Sequence, residues 1–281
     1  MNTREQIKDA KRIVVKVGTS TLLYPNGKIN LYRIEHLARE LSDLASQGRE
    51  VILVTSGAIG AGMVRMGLSE RPDSTQEKQA LASVGQVLLM HLYDKFFTEY
   101  GQVAGQVLLT KENFANHNQY INARNTLMAM LKNGIIPVIN ENDAVTVAEV
   151  KIGDNDTLSA IVAAMVGADL LILLSDIDGL YTDDPRTNPD AKFIEQVDCL
   201  TDELMHMGKA STGSSVGTGG MNTKMIAAKI ATSSNVDMII ANSRDIGILH
   251  RLLAGNNEGT LFLAHPDASF DLPAFVDQLH K

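Results

Sequence analysis

Short runs of aliphatic, mostly β-branched residues recur along this chain, each apolar on both faces, and each is followed by a stretch with helical spacing. The runs are 12–17 (Arg-Ile-Val-Val-Lys-Val), 50–55 (Glu-Val-Ile-Leu-Val-Thr), 103–109, 135–140, 170–174 and 237–241. A strand apolar on both faces must be covered on both faces, which is the signature of a parallel sheet between helical layers. Helical patterns fill the gaps. Residues 31–47 place Ile34, Leu37, Leu41 and Leu44 at three- and four-residue steps, and Gly48 stops them. Residues 76–100, with a break expected near Gly85, and residues 122–133 and 157–166 continue the alternation. The expected fold is therefore α/β, a three-layer α/β/α sandwich with a mostly parallel central sheet. At 281 residues, 44% of them hydrophobic, the chain can bury one large core or two moderate ones. Residues 266–281 show no strand–helix unit and read as a short tail.

Charge and composition remove several function classes. The net charge is −8 and the lysines and arginines are scattered, so no basic face is offered to nucleic acid. The N-terminus is polar rather than signal-like. The longest apolar stretch, Ala160–Leu174, is interrupted by Asp169 and is shorter than the ~20 residues that cross a bilayer. No membrane and a cytoplasmic location are expected. A single cysteine, Cys199, excludes an internal disulfide framework, suits a reducing compartment and reads as a small half-buried residue. The seven histidines show no metal-ligand spacing, no Ser/His/Asp arrangement is apparent, and the twelve methionines are dispersed as core filler.

What remains points to anions. Gly217-Thr-Gly-Gly-Met-Asn-Thr-Lys224 runs into a helical pattern, with Lys224 at its opening. Bare backbone feeding a helix start presents free N–H groups and the positive end of a dipole, and a lysine there can bridge phosphate oxygens. The stretch lacks the Gly-Lys-Ser/Thr ending of a P-loop, and Gly-x-Gly-x-x-Gly is found nowhere in the chain. Lys16, followed by Gly18, sits in an otherwise apolar strand, where burial is costly unless an anion is met; an edge lysine reaching solvent is the alternative. Thr55-Ser56-Gly57-Ala58-Ile59-Gly60-Ala61-Gly62 follows the second run and serves either as an anion-binding turn or as tight strand–helix packing. Asn140-Glu-Asn-Asp143 and Gly153-Asp-Asn-Asp156 are each compatible with a solvated turn, and Asp156-Thr157 with a helix cap. Two such clusters beside strand ends and helix starts favour a polar site that could orient lysines, hold Mg²⁺ or pair a substrate amine. Ser175-Asp-Ile-Asp-Gly-Leu-Tyr181 closes a further run and could lie beneath a nucleotide, or be a plain Asp-Gly turn.

Taken in order, these six pieces resemble the amino-acid kinase family, over roughly residues 10–265. The likeness is greatest to members that phosphorylate glutamate at the head of proline synthesis, in a form lacking the C-terminal PUA domain that many bacterial members carry. It implies a kinase domain over residues 1–265, with a glutamate-binding lobe to about 170 and an ATP-binding lobe after it, and a tail over 266–281. It implies ATP and Mg²⁺ as cofactors. Lys16, Lys224, Asp156 and Asp154 become the catalytic group, with Asp156, and Asp154 near it, holding the lysines. Ser56, Asp143 and Asn155 become the glutamate ligands, with Asp143 near the amino group. Lys16, Ser175, Asp176, Thr218, Gly219, Gly220, Met221, Asn222, Thr223 and Lys224 line the nucleotide. The family often has threonine where Ser175 stands, which keeps the hydroxyl. L-glutamate as substrate, feedback inhibition by proline, a homo-oligomer (dimer or tetramer) and a glutamyl phosphate reductase as partner are further expectations. Residues 112–118 are the candidate loop shared between subunits. The alternatives are a sister enzyme (acetylglutamate kinase, aspartokinase or uridylate kinase) and a non-catalytic amino-acid sensor of the same fold.

Overall fold

A computed structural model describes residues 3–146, 152, 154–185, 187–201, 203–205 and 220–278. The strands are β1 (Arg12–Val17), β2 (Glu50–Val54), β3 (Val103–Leu109), β4 (Ile135–Glu141), β5 (Leu170–Ser175), β6 (Leu180–Tyr181), β7 (Phe193–Ile194), β8 (Gln196–Val197), β9 (Asp237–Asn242) and β10 (Thr260–Phe262). The described helices are α1 (Thr3–Gln6), α2 (Thr19–Leu22), α3 (Leu31–Ser46), α4 (Ala58–Met66), α5 (Thr75–Glu99), α6 (Glu112–Ala115), α7 (His117–Lys132), α8 (Asn155–Val166), α9 (Met221–Ser233), α10 (Ile248–Leu253) and α11 (Leu272–Gln278).

Eight strands form one sheet in the order β3-β4-β2-β1-β5-β9-β10-β8. The six long strands, from β3 to β9, pair in parallel, and β10 reverses direction against β9. Successive side chains alternate between two cores. Ile13, Val15 and Val17 of β1 join α3, α5 and α10 on one face, while Val14 joins α7, α8 and α9 on the other. The expected α/β/α sandwich is therefore present, and one sheet runs through both halves of the chain. By the same alternation Lys16 falls on the face of α8 and α9. Because β1 has β2 on one side and β5 on the other, the chain changes winding direction there, and a crevice opens at the carboxyl ends of these strands.

Local chemistry accounts for the helix ends. Asn30, Ser74, Asn116 and Asp154 each accept an N–H from the first turn of α3, α5, α7 and α8. The cap at Asn116 starts α7 five residues before the apolar pattern that betrays it, so residues 112–118 form a helical turn and a cap, with Phe114 buried, instead of an open loop. Helix α5 is unbroken. Gly85 lies in it because a Cβ there would run into the Ala58 carbonyl oxygen of α4, and Gly62 of α4 meets the Leu81 carbonyl in the same way. Gly62 therefore serves close helix packing, Gly60 leaves room for the Leu23 side chain, and Gly57, at φ +91°, makes the left-handed turn that α4 needs.

Two expectations need correction. Cys199 is exposed, because it follows β8, the outermost strand, which no further strand covers. The tail from residue 266 is not featureless: α11 packs on α6, Val276 is buried and Phe270 meets Phe275 at 5.2 Å.

Candidate active site

The C-terminal ends of β1, β2, β4 and β5 and the N-terminal ends of α8 and α9 converge on two adjoining polar clusters. The first is charged. Asp156, in the first turn of α8, is 1% exposed. Its Oδ1 lies 2.6 Å from Lys16 Nζ, and its Oδ2 lies 3.1 Å from Lys224 Nζ. The Thr223 hydroxyl stands 3.0 Å from the same Oδ2 and 2.8 Å from the Gly220 carbonyl oxygen. Both lysines are buried. Burial by itself would raise the Asp156 carboxyl, but Lys16 and then Lys224 outweigh it and hold the group well below the usual carboxylate range. Asp156 thus holds two ammonium groups side by side at the crevice. Two ammonium groups fixed together at the ends of β1 and α9 are suited to receive an anion between them. The first turn of α9 adds to this, because its N-cap, Gly220, has no side chain to occupy the free N–H groups.

Asp154 has a different job. Its Oδ1 and Oδ2 accept from the N–H and the hydroxyl of Thr157, each at 2.8 Å, so it is the cap of α8 and frees Asp156 for the lysines. No ion pair joins it to a lysine among the described residues. Burial and then the neighbouring Asp156 charge raise its carboxyl, against the Thr157 bonds and Lys16.

The second cluster is uncharged. Asn155 Nδ2 reaches the Thr55 carbonyl (2.7 Å), the Ser56 hydroxyl (2.8 Å) and Asn140 Oδ1 (2.9 Å). Asn140 Oδ1 also accepts the Glu141 N–H, and its Nδ2 donates to Gln86 Oε1 at 3.0 Å. Gln86 in turn donates to Gln106 Oε1 at 3.0 Å. Asn155 Oδ1 is buried and accepts nothing. Asp143 lies half-buried on the turn after β4. Glu141, buried at the end of β4, accepts the Ile152 N–H at 2.8 Å.

Of the expected site residues, Lys16, Asp156, Thr223 and Lys224 meet directly, and Ser56 meets Asn155. Ser175, at the end of β5, is buried and donates to Asp176, which is exposed. Gly220, Met221 and Asn222 open α9, so Lys224 is the fourth residue of that helix and not its first. Thr218 and Gly219 lie outside the described residues. Sequence reasoning missed Gln86 and Tyr93 of α5. Tyr93 is fully buried and shares a 2.8 Å hydrogen bond with the Thr55 hydroxyl. Burial raises its phenol, only partly opposed by Thr55. The available signal was their seven-residue spacing, with Gln79, whose amide holds the Thr146 carbonyl at 3.0 Å, one heptad earlier on the same face. Among the described residues no group of three or more His, Cys, Asp or Glu could hold a metal ion. No helix among them is long and apolar enough to cross a membrane.

Known proteins are similar to this chain in sequence and in fold. Residues 11–242 match the model of the amino acid kinase family. The chain is 54% identical to a glutamate 5-kinase of Clostridium tetani over 94% of this chain and 98% of that protein. It is 51% identical to one of Clostridium acetobutylicum at the same coverages. It is 55% identical to one of Thermoanaerobacter sp. over 90% of this chain and 68% of that protein. Its fold superposes on a crystal structure of UMP kinase from Bacillus anthracis with a TM-score of 0.61 at 17% identity, covering 91% of this chain and 96% of that one. At that identity the superposition speaks for the fold alone. Fold, buried charge and relatives agree: the chain belongs to the amino acid kinase family.

Proposed function

We infer that this chain transfers the γ-phosphoryl group of ATP to the side-chain carboxylate of L-glutamate, giving L-glutamyl 5-phosphate, the first step of proline biosynthesis. The activity comes from relatives more than half identical over nearly their whole length. The observation in the molecule that carries it is the Lys16–Asp156–Lys224 cluster, which holds two ammonium groups together beside a neutral amide cluster.

The acceptor carboxylate, with an unperturbed pKa of ~4.3, is already ionised near neutrality and needs no general base. One of its oxygens attacks the γ-phosphorus. The bond to the β-bridging oxygen breaks, and the electron pair leaves on ADP. Catalysis then consists of bringing two anions together and stabilising charge on the transferring group. In this reading Lys16 from β1 and Lys224 from α9 do so from two sides, and Asp156 fixes both ammonium groups. Ser175, Asp176 and residues 218–224, with the free N–H groups of α9, hold the nucleotide. Ser56, Asp143 and Asn155 hold glutamate. Among the described residues no cluster of carboxylates is left for Mg²⁺, and Asp156 is taken by lysines, so the ion would be carried in on the nucleotide phosphates and would neutralise their charge there. The halves of the chain before and after about residue 170 then serve glutamate and ATP respectively.

Further parts of the reading concern regulation and partners. Proline, a cyclic relative of the substrate, competes for the glutamate seat. β3 is an outermost strand with Val103 61% exposed, which supports pairing with a second copy of the chain as a dimer or tetramer. The acyl phosphate is prone to hydrolysis, which favours a nearby glutamyl phosphate reductase in the cytoplasm.

Protein, ATP and Mg²⁺ are mixed with hydroxylamine and either glutamate, N-acetylglutamate or aspartate. Acyl hydroxamate is expected with glutamate alone and should fall when proline is added. Hydroxamate only with another acceptor overturns the substrate, and none with any acceptor despite ATP binding leaves a sensor.

A further inference from the structure

The amide cluster has a direction, and two backbone groups set it. The Thr55 carbonyl can only accept, so the Asn155 atom 2.7 Å from it is the NH₂ group. The Glu141 N–H can only donate, so the Asn140 atom 2.9 Å from it is the oxygen. Asn140 therefore turns its NH₂ group outward, to Gln86 Oε1. Gln86 is left to donate to Gln106 on the sheet edge. The side-chain bonds of the chain Asn155→Asn140→Gln86→Gln106 run from the crevice outward to the sheet edge. Two consequences follow at the crevice end. Asn155 keeps a carbonyl oxygen with no partner, a buried acceptor whose isolation costs ~1–3 kcal/mol until a donor arrives. The Ser56 hydroxyl shares the two hydrogens of the Asn155 NH₂ group with the Thr55 carbonyl and Asn140 Oδ1, and since an NH₂ group offers no acceptor, the hydroxyl's own hydrogen is free to donate. A free acceptor beside a free donor complements an ammonium beside a carboxylate, the two charged ends of an α-amino acid.

We propose that Gln86, acting through Asn140, backs the two backbone groups that orient the Asn155 amide and so sharpens the preference for an acceptor that carries a free ammonium group. Gln86 is a positioning residue in this scheme: it touches neither substrate nor nucleotide. The proposal rests on the glutamate-kinase reading and deepens it. Gln86 sits mid-helix on α5, 8% exposed, where methionine keeps the length and loses both hydrogen bonds. Without its acceptor, the Asn140 NH₂ group is left buried and unpaired, and Asn140 and Asn155 are held by the Glu141 N–H and the Thr55 carbonyl alone, with more freedom to shift.

The test compares glutamate with glutarate, which has the same reacting carboxylate and a hydrogen in place of the ammonium. In wild type, kcat/KM should favour glutamate strongly. In Gln86→Met the KM for glutamate should rise about tenfold, with the KM for ATP and the kcat/KM for glutarate unchanged, so that the preference falls about tenfold. A role in packing alone would lower both acceptors alike, and that result overturns the proposal. So does a preference within twofold of wild type, or a wild type that does not discriminate. If Gln86→Met does not fold, Gln106→Leu on the exposed edge decides, because it removes the acceptor of the Gln86 NH₂ group. A two- to threefold loss of preference supports the relay and none refutes it. Absence of any wild-type activity with glutamate would instead strike the kinase reading itself.

Discussion

The two halves of the crevice solve different problems with different chemistry. On one side Lys16, Lys224 and Asp156 bring three formal charges together, buried, from β1, α9 and α8. On the other side Ser56, Asn140, Asn155 and Gln86 carry no charge and are tied by directional hydrogen bonds. Charge is long-ranged and nearly indifferent to angle, so it suits the stabilisation of a moving phosphoryl group. Amides are short-ranged and polar end to end, so they suit the recognition of one acceptor over another. The contrast predicts that damage to the charged side lowers turnover and damage to the amide side weakens glutamate binding.

The largest effect is expected from Asp156→Asn, which leaves two buried ammonium groups without their carboxylate. Removing one partner of a buried ion pair costs ~3–5 kcal/mol, so thermal or urea unfolding should show a loss of that order along with nearly all turnover. The same variant has a pH signature. The Asp156 carboxyl is lower in the folded than in the unfolded chain, so the unfolded chain binds more protons in acid. The stability it contributes is fully present above the unfolded value of ~3.9 and is lost as pH falls below it. Unfolding measured from pH 6 down to pH 3 should thus fall more steeply in wild type than in Asp156→Asn. Equal slopes would mean that the carboxylate is not paired as described.

Next comes Lys224→Ala. Loss of one donor to a developing anion costs roughly 10²–10³ in turnover, and the KM for glutamate should stay within about threefold. Unchanged turnover would remove Lys224 from the chemistry. On the amide side, Asn155→Ala should reverse the pattern, raising the KM for glutamate by about tenfold or more, as expected for a lost charge-assisted contact, while ATP binding persists. If both variants lower kcat alone, the division between the two sides is wrong. The smallest effect is expected from Tyr93→Phe. It removes a buried hydroxyl but leaves the ring, and Thr55 loses one partner, so a stability loss of about 1 kcal/mol and a modest rise in the KM for glutamate should appear. A full loss of activity there would show that the Thr55–Ser56 turn depends on α5 far more than a single bond explains.

The charged side was largely legible in the linear chain, and the amide side only in part. Lys16 stands out because a lysine in an apolar strand is anomalous, and Lys224 because it follows a glycine-rich run. Asn155 and Ser56 lie in recognisable turns. Gln86 does not stand out, because one glutamine in a long helix is unremarkable until Asn140 is seen 3.0 Å away. Gly85 misled for a related reason. A glycine inside a helix suggests a break when only its backbone preference is considered, and here the neighbouring helix α4 explains it.

The sequence by itself determined the elements and their class. β-branched runs, helical spacing and capping residues act over a few positions, and they specify six parallel strands between helices to within a residue or two at most ends. It also determined which side chains could carry charge into a crevice at the strand ends. Tertiary structure alone decided how they combine. It set Asp156 and not Asp154 between the lysines, since only the close approach of β1, α8 and α9 distinguishes two aspartates two residues apart. It put Cys199 outside by making β8 an edge, and it gave the tail a helix by supplying α6 to pack on. It brought Gln86 to Asn140 across 54 positions of chain. Local preferences are short-ranged energies written in neighbouring residues. Pairings between distant residues are fixed only when the sheet closes and burial leaves each polar group the partners it can reach.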